Sequence, residues 1–194
     1  MQDRIRINSV VVLSDNWGVL KKTTFDYRNS KGVWEPQIRE TYDRGHGATV
    51  LPFDPERGTV LLVRQFRYPA YVEGHEEPLL EACAGLLDAD DPETCARREA
   101  EEELGYRLRD LKLVMMPFMS PGSVTEKLAF FTAHYSAADR VSDGGGHVDE
   151  GEDIEVVEML LRHAYDACLD GRIIDAKTII LVQHLMLTEA SVRK

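Results

Sequence analysis

The sequence predicts an α+β fold, and three observations carry that reading. Runs rich in β-branched and aromatic residues follow one another from the N-terminus, separated by Gly, Asn, Asp and Ser clusters. Helical stretches are few and stand between or after the strands, so the pattern is strands with segregated helices. The 194 residues are 43% hydrophobic and 29% charged, which is a globular composition with chain enough to bury a sizeable core.

Taken in order, residues 5–13, 18–28 and 33–43 read as three strands, with Val10 to Leu13, Phe25, Tyr27, Val33 and Trp34 as β-favouring residues. The breaks "SDNWG" and "RNSKG" are turn chemistry. These strands form a small antiparallel layer, residues 1–44, ahead of a main domain, residues 45–194. "ATVLPF" and "GTVLLVRQF", joined by "DPERG", read as a hairpin. "PLLEACAG" is a further short strand. Pro92 suits the first position of a helix, where a missing N–H costs nothing, and Asp91 suits its N-cap. That helix is expected to run to Leu104, with Gly105 ending it. Strands near 111–118 and 127–135 follow, then a loop, "DGGGHVDEGED", then a strand over Ile154 to Leu160. "RHAYDACLDG" and "DAKTIILVQHLMLTEA" read as helices.

The net charge of −11 argues against nonspecific binding to nucleic acid, which needs a basic surface. It leaves room for an anionic ligand wherever a metal or an arginine cluster reverses the local field. Cys83, Cys95 and Cys168 are widely spaced and odd in number, so neither a zinc knuckle nor a disulfide framework is expected, and a reducing cytoplasm fits. "MQDRIRINSV" lacks the apolar core of a signal peptide, and "TIILV" is too short to cross a bilayer.

The stretch "ARREAEEELG" packs four glutamates into five positions. On an α-helix Glu99, Glu102 and Glu103 fall at i, i+3 and i+4 and share a face, while Glu101 points elsewhere. A solvated acidic face is one reading, since like charges at this spacing cost only about 0.2–0.5 kcal/mol. The other is a divalent-cation site: hard carboxylate oxygens on a rigid face suit Mg²⁺ or Mn²⁺, and Mg²⁺ shares phosphate oxygens as ligands. An EF-hand over Asp88, Asp90 and Glu99 is rejected, because Glu93 stands where that loop requires Gly.

From Gly85 the chain reads "GLLDADDPETCARREAEEELGY". This resembles the Nudix box: G, five residues, E, seven residues, then R-E-apolar-x-E-E-x-G. Arg98, Glu99, Ala100, Glu102, Glu103 and Gly105 match its second half position by position. The first half is one residue short, and Asp90 or Asp91 stands where Glu is usual; a loop before the helix tolerates that change. "SDNW", "RETYDRGHGATVL", "LLVRQFRYPAY", "EACAGLLD", "MSPGSVTE", "GEDIEV" and "DAKTI" extend the likeness across nearly the whole chain. Together they resemble the GDP-mannose pyrophosphatase, NudK-type, group of Nudix hydrolases.

The resemblance implies a Nudix fold, a mixed sheet sandwiched between helices. It also implies Mg²⁺-dependent cleavage of a nucleoside-diphosphate sugar between its phosphates, here GDP-mannose to GMP and mannose 1-phosphate. An ADP-ribose or other nucleotide-sugar pyrophosphatase shares the metal site and the "RQFR" segment and stays open. So does a non-catalytic nucleotide-binding module, although the retained glutamates speak against it. By the same resemblance Glu99, Glu103, Glu152 and the backbone carbonyl of Ala84 hold metal, and Glu102 is a further ligand or a water orienter. Glu152 joins the metals or activates water, and Gly144, Gly145 and Gly146 give its loop freedom to close. Arg98 pairs with a box carboxylate. Substrate contacts fall on Trp17, Ile38, Arg39, Glu40, Arg67, Ala84, Gly85, Leu86, Glu103, Glu126, Gly151, Glu152 and Lys177. Taken singly, the charged members of this set are ordinary surface residues, and Trp17 could equally be a turn or core aromatic. A two-fold homodimer is implied as well, its N-terminal strands covered by a partner. A layer this small is marginal alone and needs cover for Val10, Val11, Val12, Phe25, Tyr27 and Trp34 from the parent domain or a second copy.

Overall fold

The computed structural model describes residues 1–147 and 151–192. The chain divides into two compact units, residues 1–46 with 117–128, and residues 47–116 with the chain from Ala129 onward. No helix among the described residues is long and apolar enough to cross a membrane.

In the first unit, strands β1 (Ile5–Asp15), β2 (Val19–Arg28) and β3 (Trp34–Asp43) form an antiparallel sheet in that order. They begin and end within two residues of the expected bounds. The β1–β2 ladder slips between Ile7 and Ser9 and again between Val12 and Ser14, so Asn8 and Leu13 are the extra residues of two bulges. Gly18 closes the β1–β2 turn under the Tyr42 ring, where a Cβ would stand 2.6 Å from the ring carbon Cζ. Residues 117–128 join this unit through Tyr42, which donates its N–H to Ser123 O (2.8 Å) and accepts from the Thr125 N–H (3.1 Å).

The second unit holds a seven-stranded sheet. Strands β4 (Gly47–Asp54) and β5 (Thr59–Gln65) form the expected hairpin. Its turn is built by Asp54, whose carboxylate accepts the N–H groups of Glu56 (2.9 Å) and Arg57 (3.1 Å). The single strand expected over "PLLEACAG" is two: β6 (Leu79–Glu81) pairs with β5, and β7 (Cys83–Leu86) pairs with β4. The segment changes neighbour at Ala82, which drops out of both ladders, and its N–H finds Thr178 Oγ1 instead (2.6 Å). Strands β8 (Arg109–Met115), β9 (Leu128–His134) and β10 (Ile154–Leu160) complete the order β10-β5-β4-β9-β8. Most neighbours are antiparallel. At the end of β9, however, the Tyr135 N–H reaches Phe53 O near the end of β4 (3.3 Å), so these two strands run the same way and the sheet is mixed.

Helices α1 (Tyr68–Val72), α2 (Pro92–Glu99), α3 (Leu161–Asp170) and α4 (Ala176–Val192) complete this unit, the sheet sandwiched between helices as expected. The sequence reading missed α1, a five-residue piece too short to show a period. Every residue of β4 is buried, because the sheet is covered on both faces. Alternation sorts its residues: Ala48 and Val50 join Leu61 and Val63 of β5 against Cys95, Ala96, Ala100 and Leu104. That layer anchors α2 to the sheet, and Glu99 and Glu103, three positions on from Ala96 and Ala100, are buried at its margin.

Candidate active site

Asp91 caps α2 as expected: its carboxylate accepts the N–H groups of Glu93 (3.0 Å) and Thr94 (3.1 Å), and Pro92 fills the first turn. The end of the helix departs from expectation. Residues Ala100–Leu104 wind as a wider π turn, and the Gly105 N–H bonds back to Ala100 O. Gly105 itself is left-handed (φ 79°), as a helix stop should be. A wide turn leaves carbonyls short of donors, and the glycine loop supplies them. The Gly145 N–H donates to Glu103 O (2.9 Å) and the Gly146 N–H to Glu102 O (3.1 Å).

This docking corrects the role assigned to Gly144, Gly145 and Gly146. Gly144 and Gly146 serve close approach more than freedom of movement, while a Cβ on Gly145 would make only an ordinary contact, 3.6 Å from Ile154 O. A Cβ on Gly144 would stand 2.5 Å from Glu103 O, and one on Gly146 would stand 2.4 Å from Glu152 Oε2. All three have φ between 69° and 108°, which a side chain would strain. The sequence signal was present, since three consecutive glycines serve tight backbone contact as well as motion. The Val148–Glu150 part of the predicted loop lies outside the described residues.

The packing places the box glutamates differently. Glu103 is only 2% exposed. Its Oε2 accepts the Ala84 N–H at 3.3 Å, and the Cys83 thiol hydrogen-bonds it. Burial and the neighbouring charges of Glu99 and Glu152 push its carboxyl up to about 7. Glu99 lies across β7: a Cβ on Gly85 would stand 1.9 Å from its Oε1, so only glycine fits there. Burial, with Glu102 and Glu152 adding to it, raises the Glu99 carboxyl despite Arg98 at 2.9 Å. Glu102 is turned toward Arg98 (3.0 Å) and the His147 ring (3.5 Å). Glu101 points away and pairs with Arg107 (3.3 Å). Glu152 Oε2 accepts the His147 N–H at 2.9 Å. Arg98 also reaches Asp90 (3.2 Å), so it is the clamp of the acidic face, as the sequence led us to expect.

The structure thus brings Glu99, Glu103 and Glu152 into one electrostatic neighbourhood beside Ala84 and Gly85. They do not close on one point. Among the described residues no three His, Cys, Asp or Glu side chains form a metal-ligand group, because each carboxylate is engaged by its own protein partner. The donor set still fits a hard divalent cation. Its oxygens are carboxylates and a carbonyl, and buried like charges are what an incoming cation relieves.

Two expected phosphate-binding cations meet at a residue the sequence reading passed over. Arg67 donates to both oxygens of Glu81 (2.9 and 3.2 Å), and Lys177 makes a short ion pair with the same carboxylate. Glu81 is 2% exposed. It was overlooked because a lone Glu inside an apolar strand has no local motif. Leu86, half-buried, offers its carbonyl to Cys95 Sγ at 3.3 Å. Gly151 is exposed with φ 77°.

The first unit carries the remaining expected contacts. Trp17 is 70% exposed on the β1–β2 turn. The Arg44 guanidinium sits over its ring, 5.2 Å from the centroid, and stands 3.4 Å from Glu126. Arg44 therefore links two expected substrate residues, and the sequence offered no sign of it. On β3, Ile38, Arg39 and Glu40 are all exposed, with Arg39 on the face opposite its two neighbours by strand alternation.

Residues 4–42 match the family model of the GDP-mannose pyrophosphatase NudK N-terminal domain, and residues 43–167 match the NUDIX domain. The GDP-mannose pyrophosphatase of Pectobacterium atrosepticum is 49% identical over 188 residues, 96% of each chain. That of Yersinia enterocolitica is 51% identical over 174 residues, 89% of this chain and 90% of the relative. A crystal structure of an ADP compounds hydrolase superposes with a TM-score of 0.71 over 96% of both chains at 21% identity, a likeness of fold alone.

Proposed function

We propose that this chain, which belongs to the Nudix hydrolase family and within it to the GDP-mannose pyrophosphatase group, hydrolyses GDP-mannose to GMP and mannose 1-phosphate with Mg²⁺. One observation supports this most: the buried, mutually repelling carboxylates Glu99 and Glu103 beside Glu152, on a chain alike over nearly its whole length to enzymes named for that substrate. Glu99, Glu103, Glu152 and the Ala84 carbonyl would hold the metal, with Mn²⁺ able to replace Mg²⁺. The metal, when bound, supplies charge neutralisation for the bridging phosphates.

The chain's own residues do the rest. Arg67 and Lys177 attract and orient the phosphates, Arg67 by a planar fork and Lys177 as a point charge. Glu152, held by the His147 N–H, takes a proton from the attacking water or orients it. Glu102, clamped by Arg98, keeps the acidic face in shape. Trp17 stacks on the base, and Arg39, Glu40 and Glu126 contact substrate.

The active species is a homodimer in the cytoplasm, its N-terminal sheet covered by a second copy. In the single chain Val10, Val11 and Val12 are 50–53% exposed, so they lack the cover a strand of this kind needs. Deleting residues 1–44 then abolishes dimerisation and activity together. A light-scattering mass near that of one 22.0 kDa chain for the intact, active enzyme would overturn the assembly.

A substrate panel tests the reaction. GDP-mannose, ADP-ribose and other nucleotide sugars are supplied with Mg²⁺, and the products are separated. GDP-mannose is expected to show the highest kcat/KM. Preferred turnover of ADP-ribose would sink the substrate assignment and keep the pyrophosphatase. No turnover of any of them would leave a nucleotide-binding module.

A further inference from the structure

We propose that Glu81 is a positioning residue: from inside the fold it holds Arg67 and Lys177 together, so that one buried anion presents two cations to a phosphate of the substrate. The inference rests on the reading of Arg67 and Lys177 as phosphate contacts.

The geometry is unusual for a structural ion pair. Surface pairs join two flexible, solvated side chains and contribute little. Here the carboxylate is 2% exposed, and its two partners come from distant parts of the chain, the N-cap of α1 and the first turn of α4. Two cations meet on the one Glu81 carboxylate, and Asp175 beside Lys177 brings the four groups to neutrality, so the cluster offers a phosphate fixed donors rather than net charge. The Arg67 side chain is 39% exposed, so it opens outward while its fork stays engaged. Arg67 also feels the charges of Glu103 and Asp175, which places it on the side of the metal-type carboxylates.

A second set of bonds fixes the arrangement. Asp175 accepts the Thr178 N–H (3.0 Å) and its hydroxyl (2.5 Å), and stands 3.1 Å from Lys177. The same Thr178 hydroxyl accepts the Ala82 N–H, the amide released where the strand changes partners. A closed ring therefore runs from Glu81 through Lys177, Asp175 and Thr178 to Ala82, the next residue after Glu81. Helix α4 is tied by its first turn to the point where β6 becomes β7, one step before Cys83 and Ala84 meet Glu103. Burial opposes the charge on Glu81, but Lys177 and then Arg67 outweigh it, and the carboxyl lies below the ordinary range. It is charged at neutral pH and stays a fixed anchor through turnover. Without it, Arg67 is free to pair with Glu103 and Lys177 keeps only Asp175, so neither is held in place for a phosphate.

The test is a double-mutant cycle on the full-length enzyme, with the best substrate of the panel above and with melting temperature recorded alongside. Lys177→Met should raise KM about tenfold in the natural background and less than twofold in Glu81→Gln, since Lys177 is already lost to the substrate there. Glu81→Asp keeps the charge but is one methylene short. It should melt within a few degrees of the natural enzyme with KM raised at least about threefold, and it carries the test if Glu81→Gln does not fold. Three results overturn the proposal. In the first, Lys177→Met costs as much with Glu81→Gln as without it. In the second, Glu81→Asp lowers the melting temperature while KM and kcat stay within twofold, which makes Glu81 a structural brace only. In the third, Lys177→Met and Arg67→Ala leave KM and kcat unchanged in the natural background, which removes the phosphate reading itself.

Discussion

Glu81 and Glu103 are both 2% exposed glutamates, set on neighbouring elements of one unit, yet they sit in opposite electrostatic states. Glu81 has Arg67 and Lys177 on its oxygens, and its carboxyl is held below the ordinary range. Glu103 has a backbone N–H and a thiol, with Glu99 and Glu152 nearby, and its carboxyl is pushed up to about 7. Burial is the same, so burial does not decide what a carboxylate is for. The supply of cations does. Where the chain provides the positive charge, the residue anchors other groups. Where it withholds that charge, the residue is left uncompensated, which is what supports the proposal that Glu103 receives a cation from outside.

The comparison breaks most decisively at Glu103. Glu103→Gln should lower kcat by about 10²–10³-fold or more, with the fold intact by circular dichroism. Because the change removes a buried charge that has no cation, the metal-free variant should melt at or above the temperature of the natural enzyme. The natural enzyme should gain about 2.7 kcal/mol at a Mg²⁺ concentration 100-fold over its dissociation constant, about 5–10 °C in melting temperature, and the variant should lose most of that gain. Near-normal turnover of the variant at saturating Mg²⁺ would remove Glu103 from the site.

Glu152 tests whether the third carboxylate acts on substrate binding or on the chemistry. Glu152→Gln should lower kcat by about 10²-fold while KM moves by no more than a few-fold, since its proposed work is done in the transition state. A rise in KM at constant kcat would make it a binding residue instead.

A smaller effect is expected at Gly85, which touches the comparison only through Glu99. Gly85→Ala sets a methyl group 1.9 Å from Glu99 Oε1, so the carboxylate must move. About a tenfold loss of kcat should accompany a loss of about 1–3 kcal/mol in stability by urea unfolding. Unchanged kinetics would mean that Glu99 has free room on β7.

The smallest effect lies in the acid limb of the stability profile. The Glu81 carboxyl is depressed on folding, so the stability it lends is present at neutral pH. It is lost as pH falls below the ordinary glutamate range, through the folded value. Glu81→Gln should therefore lose less stability than the natural enzyme over that window, although it starts lower. Parallel profiles would mean that Glu81 is not depressed.

The Nudix box and the α+β pattern were legible because each rests on local chemistry. Asp91, Pro92 and Gly105 mark the ends of a helix by capping and backbone conformation, and they do so in the structure. The alternation of β4 and β5 predicts a hairpin because side chains of period two must choose a face. By itself, then, the sequence determined the strands, the acidic helix and the glutamates on it. Tertiary structure alone decided three things. The last turn of the acidic helix widens because Gly145 and Gly146 supply its carbonyls with donors from more than forty positions away. The "PLLEACAG" run splits because its two halves pair with different strands. Glu81 gathers Arg67 and Lys177, which are 14 and 96 positions distant. In each case the deciding partner is remote in the chain, and hydrogen bonds and ion pairs between remote groups leave no period, cap or spacing in a sequence to be read.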